Sequence, residues 1–288
     1  MINLFSFFSV SLFCYSYMFP SFLIMNFSLK NELTVISYNI RYDNPNDAEN
    51  QWEYRKERVA NYIKEIRPDI IGMQEVLDPQ LVFLDVSLTE FSFVGVGRED
   101  GKTKGEYSPI LYNSNSLSLL QTDTFWLSET PTVISVGWDA ALERICTYAQ
   151  FEHKETGQKF WVFNTHFDHI GELARIQSAK LINQKVKMLN MNNSPVVITG
   201  DFNLTPNTAP IKIFQNAYKD VMQKTPANAN NYGTFTGFDK LSNGEDRIDY
   251  IFQKGLKTLE STHIWLKTTS GGWASDHHPV QAIFSFNY

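Results

Sequence analysis

Between Phe91 and Phe167 the sequence places five strand-like runs one after another, FSFVGVG, YSPILYN, SLLQTDTFWL, ICTYAQFEH and KFWVFNTHF, with turn residues between them and no long helical periodicity. Consecutive strands joined this way favour antiparallel pairing, so this part of the chain must be sheet. On either side the pattern changes. LTVISYNI (33–40) reads as a strand, Tyr54 to Ile66 puts Val59, Tyr62, Ile63 and Ile66 on one helical face before Pro68 stops it, and DIIGMQEV (69–76) reads as a second strand. Strand, helix and strand in that order predict parallel neighbours. Downstream, Glu172 to Asn190 carries Leu173, Ile176, Ala179, Ile182, Val186 and Leu189 at helical spacing. PVVITG, a short helix near 208–216, RIDYIFQK and HPVQAIFSF follow. The pattern is two strand-rich sheets with a few covering helices, and no Pro/Gly/Ser-rich linker divides residues 30–288, which read as a single domain.

Composition narrows the partners. The chain has 25 basic against 31 acidic residues, a net charge of −6, and so offers no general attraction to a polyanion. A nucleic-acid substrate would have to be held by a local basic feature or by metal. Residues 1–29 contain no Asp, Glu, Lys or Arg, and the first charge is Lys30. That run reads as a signal peptide or membrane anchor, which places the domain outside the cytoplasm, secreted or membrane-attached. With the leader removed only Cys146 remains, which excludes an internal disulfide; its strand-like surroundings favour a small buried hydrophobe over a nucleophile.

Polar residues able to bind metal or move protons collect where the strand-like runs stop. Asn39 ends the first run and Glu75 the second; His166 ends WVFNTHF, Asp201 and Asn203 follow VVITG, Asp249 sits in RIDYIF, and Asp276 and His277 precede the last strand. Each alone is an ordinary loop or turn residue. Together they mark strand ends that can converge on one site.

The segments SYNIR (37–41), IGMQEV (71–76), NTHFDH (164–169), TGDFN (199–203), RIDYIF (247–252) and SDHHPV (275–280) resemble, in order, the motifs of the endonuclease/exonuclease/phosphatase superfamily of metal-dependent phosphoesterases. The resemblance spans Ser37 to Val280 and implies an α/β (α+β) fold, a two-sheet β-sandwich flanked by helices in four αββα layers. His166 stands where the deoxyribonucleases and sphingomyelinases of this superfamily have a second active-site histidine. Glu106 in GEYSPILY then matches the acidic partner of that histidine, with Tyr107 as the neighbouring alternative.

The chemistry of these residue types fits phosphoester hydrolysis, which needs charge neutralisation, an oriented water and relief of charge on the leaving oxygen. Glu75 is the expected principal ligand of Mg2+, or of Mn2+, with Asn39 and Asp276 helping directly or through water. Asp201 is expected to activate water and Asn203, on the same side of an extended segment, to donate to the phosphate. His277, held protonated by Asp249, would contact the phosphate, and His166 would act likewise with Glu106 or protonate the leaving oxygen. Arg41 offers a fixed cation for substrate at the rim, and Asp168 either joins the site or starts the next helix. Trp126, Trp138 and Trp273 are candidate groove walls or core anchors, and Asn203 opens an NLT sequon whose glycosylation would abolish the site.

The leading expectation is a monomeric phosphodiesterase of nuclease type. Alternatives are a sphingomyelinase-like lipid phosphodiesterase, a sugar or inositol phosphate phosphatase, and a binding protein on the same fold that has lost catalysis. The last predicts gaps among the metal and base positions, and the sequence has none.

Overall fold

Two six-stranded sheets face one another in the computed structural model, which describes residues 31–224, 232–244 and 246–286. The leader at 1–29 lies outside the described residues. In chain order the first half comprises β1 (Glu32–Asn39), α1 (Trp52–Ile66), β2 (Ile70–Gln74), α2 (Asp78–Ser87), β3 (Phe91–Val94), β4 (Ile110–Asn113) and β5 (Leu117–Trp126). The remainder comprises β6 (Ile145–His153), β7 (Lys159–His166), α3 (Glu172–Leu189), β8 (Val196–Asp201), α4 (Ala209–Gln215), β9 (Lys219–Asp220), β10 (Asp249–Lys254), β11 (Leu256–His263) and β12 (Val280–Phe286). The sheets run β11-β12-β1-β2-β4-β3 and β5-β6-β7-β8-β10-β9.

Both pairing expectations hold. The middle strands pair antiparallel, β5 with β6 and β6 with β7. The strand-helix-strand unit makes β1 and β2 parallel, and α3 joins a second parallel pair, β7 and β8. The helices cover the outer faces, α1 and α2 on the first sheet and α3 and α4 on the second, which gives the four αββα layers. Two helix-face assignments need correction: Ile66 is 38% and Leu173 47% exposed, each in a terminal turn of its helix. α2, a ten-residue helix absent from the sequence expectation, has only Leu81 and Leu84 as buried apolar residues, with Phe83 partly buried beside Trp52.

Side-chain alternation explains where the core ends and the site begins. On β1, Leu33 and Val35 face the second sheet, while Ile36 and Tyr38 face α1 and α2. On β8, Val197 faces inward, and Val196 and Ile198 pack under α3 and α4. Both faces of these strands are buried, hence their nearly unbroken apolar runs. Followed along the strands at period two, the inward face changes character. Leu33, Val35, Ile70, Val162, Val197 and Ile251 form the dry inter-sheet core. The next inward positions are Ser37, Gly72, Gln74, Asn164 and Thr199. The last are Asn39, His166, Asp201 and Asp249.

The middle tier pins the sheets together. Gln74 Nε2 donates to Asn164 Oδ1 at 2.7 Å, Thr199 Oγ1 donates to the same oxygen at 2.9 Å, and Asn164 Nδ2 donates to the carbonyls of Met73 and Pro109 at 2.6 and 2.9 Å. Both polar atoms of the Asn164 amide have partners in this buried network, while Gln74 is held through its Nε2 and its Oε1 has none. Gly72 makes the approach possible, since a Cβ there would lie 2.0 Å from Thr199 Oγ1.

Candidate active site

The polar strand ends meet at one edge of the sandwich. β1, β2, β7 and β8 all finish there, and β10, antiparallel to β8, begins there with Asp249 opposite Asp201. The segment before β12 arrives at the same edge because β12 runs antiparallel to β1. Three site residues sit at positive φ, Arg41 at 57°, Glu75 at 60° and Asn203 at 51°. Non-glycine residues pay for this conformation, which here turns the chain sharply off a strand end.

Asn39 joins the two sheets across the site. Its Nδ2 donates to Glu75 Oε1 and to Asp201 Oδ2, both at 3.0 Å, while Oδ1 accepts from Arg41 N at 3.0 Å. The amide therefore aligns two carboxylates with its nitrogen side, and its oxygen is turned toward the backbone. Asp201 is fully buried, and burial together with the neighbouring Asp249 pushes its carboxyl up to about 7. Asp249 Oδ2 lies 2.8 Å from His277 Nδ1, whose other nitrogen is 3.7 Å from Asp201 Oδ2. Burial alone would lower the pKa of His277, but Asp249 and Asp201 outweigh it and hold the imidazole protonated well above the ordinary histidine range. The expected Asp249–His277 pair is thus in place.

Other expectations change. Asn203 does not continue an extended strand beside Asp201. Its N–H donates to Asp201 Oδ1 at 2.9 Å in a tight side-chain turn, and its Nδ2 faces Phe167 O at 2.9 Å and His166 Nε2 at 3.1 Å. Both amide hydrogens have partners inside the protein. The network assigns His166 the tautomer with its proton on Nδ1, facing Glu106 Oε2 at 3.7 Å. Burial, then Arg144 and Arg98, push the pKa of His166 well below its ordinary value, so it is neutral and not the expected second imidazolium. Glu106 is beside it, but its two oxygens are taken by Arg98 Nη1 and Nη2, each at 2.9 Å. Tyr107 is not in the site: it is buried and its hydroxyl donates to Asp78 Oδ1 at 2.9 Å, at the start of α2.

Asp168 accepts from the N–H groups of Ile170, Gly171 and Ala141 at 2.9, 2.7 and 3.1 Å and lies 3.4 Å from Arg144 Nε. It organises the entry to α3. Arg41 is committed to Asp47 through Nε and Nη2 at 2.9 and 3.0 Å. Trp126 and Trp273 are buried, their indole N–H groups on the carbonyls of Arg98 and Asp239, and so act as anchors. Cys146 is fully buried and its thiol pushed up by burial, as expected of a core residue. Arg98, Arg144 and Asp47 went unnoticed in the sequence because isolated charges in loops carry no periodic or motif signal.

The acidic groups suit a divalent cation. Glu75, Glu106, Asp201, Asp249 and Asp276 converge, and burial raises the carboxyls of Asp201, Asp276 and Glu106, with Glu75 adding to the rise at Asp276. Ligand atoms of Glu75, His166 and Asp201 lie within 4.8 Å of one another. Such a surplus of buried negative charge is costly alone and favourable around a metal ion. Hard oxygens dominate, and those of Glu75 and Asp276 keep some access to solvent, at 12% and 8% side-chain exposure.

A buried carboxylate beside an Asp–His pair and an acidic pocket suited to a cation are the groups that hydrolysis of a phosphate ester needs. The chain belongs to the endonuclease/exonuclease/phosphatase family, whose signature it matches over residues 36–277. It is 37% identical to a mannosyl-6-phosphatase from Bacteroides thetaiotaomicron, covering 88% of this chain and 100% of that one with a TM-score of 0.82. It is 29% identical to an uncharacterized protein of Acanthamoeba polyphaga mimivirus, over 81% of this chain and 92% of the other. The 3'-5'-exoribonuclease subunit Ccr4 of the Candida albicans CCR4-Not complex is 25% identical over 81% of this chain, which spans 37% of that protein.

Proposed function

We propose that this chain is a Mg2+-dependent phosphatase of small sugar phosphates. The observation that carries the hydrolytic reading is the buried contact of Asp201 with the Asp249–His277 pair, next to Glu75. Asp201, in contact with the Asp249–His277 pair, takes a proton from the attacking water. His277 donates to a non-bridging phosphate oxygen, and Asp249 keeps it charged while doing so; as the new P–O bond forms, the P–O bond to the sugar breaks and the departing alkoxide takes a proton from solvent. Asn39 holds Asp201 and Glu75 in register, and Asn203 fixes the ring of His166 in the site wall. Glu75 and Asp276 would hold the Mg2+, or Mn2+ in its place, which supplies charge neutralisation of the phosphate.

Two features support a small substrate. The likeness to the mannosyl-6-phosphatase runs the full length of that protein. Arg41, Arg98 and Arg144 each face a carboxylate, Asp47, Glu106 and Asp168, and Arg55 is buried on backbone carbonyls, so these side chains offer little free charge to a polyanion. The second reading is the nuclease-type phosphodiesterase, favoured by His166 in the site wall and by the likeness to Ccr4. In either case residues 1–29 would carry the domain out of the cytoplasm, as a cleaved signal or a retained anchor.

The test is metal-stripped full-length protein assayed for phosphate release from mannose 6-phosphate and other hexose 6-phosphates. An activated diester, RNA and sphingomyelin run in parallel, each in EDTA and after adding Mg2+ or Mn2+. Metal-restored turnover, fastest on a hexose phosphate, is expected. Faster diester or RNA cleavage selects the second reading, and no metal-dependent turnover on any substrate overturns both.

A further inference from the structure

Arg41 reaches three carboxylates at once. Besides the two bonds to Asp47, its Nη1 lies 3.9 Å from Glu75 Oε2 and 3.8 Å from Asp276 Oδ2. These last two are ion-pair contacts rather than hydrogen bonds. The residue is fixed at both ends. Its N–H donates to Asn39 Oδ1, its carbonyl accepts from Gln80 Nε2 at 3.0 Å and Arg55 Nη2 at 3.3 Å, and its guanidinium lies over the Tyr42 ring at 4.5 Å. Asp47 is held in turn by Asn44 Nδ2 at 3.1 Å within the 3-10 turn Pro45–Asn50. A permanent cation is therefore built in beside the two carboxylates assigned to the metal, with a third carboxylate drawing it to one side.

We propose that Arg41 is a resident competitor for the metal ion and that Asp47 sets how strongly it competes. The proposal rests on the metal-dependent reading of the site. Without metal, the guanidinium offsets repulsion between Glu75 and Asp276 and keeps them in place. With metal, the same charge opposes binding and keeps the ion exchangeable. Asp47 weakens that opposition, because it takes two of the guanidinium's donors and sets a third negative charge beside it. The two members of one ion pair thus have opposite effects on metal affinity.

Isothermal titration of the full chain with Mn2+ and with Mg2+, in the absence of substrate, reads this directly. Arg41→Gln is expected to bind metal about tenfold tighter or more, the scale for removing a unit charge a few ångströms from the bound ion. Asp47→Asn leaves the guanidinium to lean on Glu75 and Asp276 and is expected to bind about threefold weaker or more, a smaller change because the cation itself remains. Raising the salt concentration should shrink both changes. Circular dichroism verifies folding, and Arg41→Met replaces Arg41→Gln if the latter does not fold. A pair that merely braces the loop would shift both variants the same way. That result, or unchanged affinity in the arginine variant, overturns the proposal. Wild-type protein that binds neither ion overturns the metal-dependent reading beneath it.

Discussion

Asp249→Asn should move both limbs of the pH–rate profile toward acid. Asp249 is fully buried, and its charge acts on two groups: it raises the pKa of His277 and, after burial, is the largest influence raising Asp201 toward 7. Asparagine keeps the shape and removes the charge. His277 then loses its proton at a lower pH, which pulls in the alkaline limb. Asp201 ionises at a lower pH, which extends the acid limb. Above neutrality the variant lacks a charged donor to the phosphate, and losing one such preorganised donor costs about 10²–10³ in kcat, roughly 3–4 kcal/mol. As pH falls, the imidazole regains its proton even without Asp249, so the deficit narrows toward the acid end. The assay is phosphate release by metal-saturated enzyme from pH 5 to pH 9, with kcat/KM fitted for wild type and variant. An activity ratio that stays constant across this range, with neither limb displaced, would refute the assigned roles of both Asp201 and His277.

Three further outcomes test the fold beneath the site. Asp201 has a folded pKa raised to about 7 from 3.8, so stability is full below the unfolded value and is lost as pH rises through 7. Urea melts in EDTA should therefore show metal-free protein weakening by a few kcal/mol between pH 4 and pH 8, a slope that Asp201→Asn flattens; an unchanged slope in the variant would contradict the assignment. Phe202→Ala removes a fully buried ring packed against Phe167, Phe214, Tyr250 and Phe252 and should cost about 3–5 kcal/mol by chemical denaturation, whereas a loss under 1 kcal/mol would mean that the cluster collapses into the gap. Gly72→Ala drives a methyl into Thr199 and Asn164, so a clear fall in Tm is expected; wild-type stability would show that the sheets have more slack than the described contacts allow.

Much of this arrangement is legible in the sequence because the strands are buried on both faces and stop at polar residues. Alternation from Leu33 to Asn39 and from Val197 to Asp201 already places both polar ends on the inter-sheet side. The residue types at the strand ends carry the chemistry in the same way. What escaped has a physical reason in each case. Extended geometry predicts that Asp201 and Asn203 share a side, but Asn203 reverses the chain at positive φ, and its amide turns inward. The neutral state of His166 depends first on its burial and then on Arg144 and Arg98, recognisable only once packed. Tyr107 follows Glu106 directly, yet its bridge with Val76 carries its ring to α2 instead. α2 leaves little apolar periodicity to detect.

The site draws its residues from both sheets: Asn39, Glu75 and Asp276 from the first, and His166, Asp201 and Asp249 from the second. Any ligand that engages both sets is therefore a clasp as well as a substrate or cofactor. Its binding free energy is added to the docking of one sheet on the other, a stabilisation that grows with ligand concentration. Amide hydrogen exchange should slow on metal binding in β1 and β8 together, although the two strands are not hydrogen-bonded to each other.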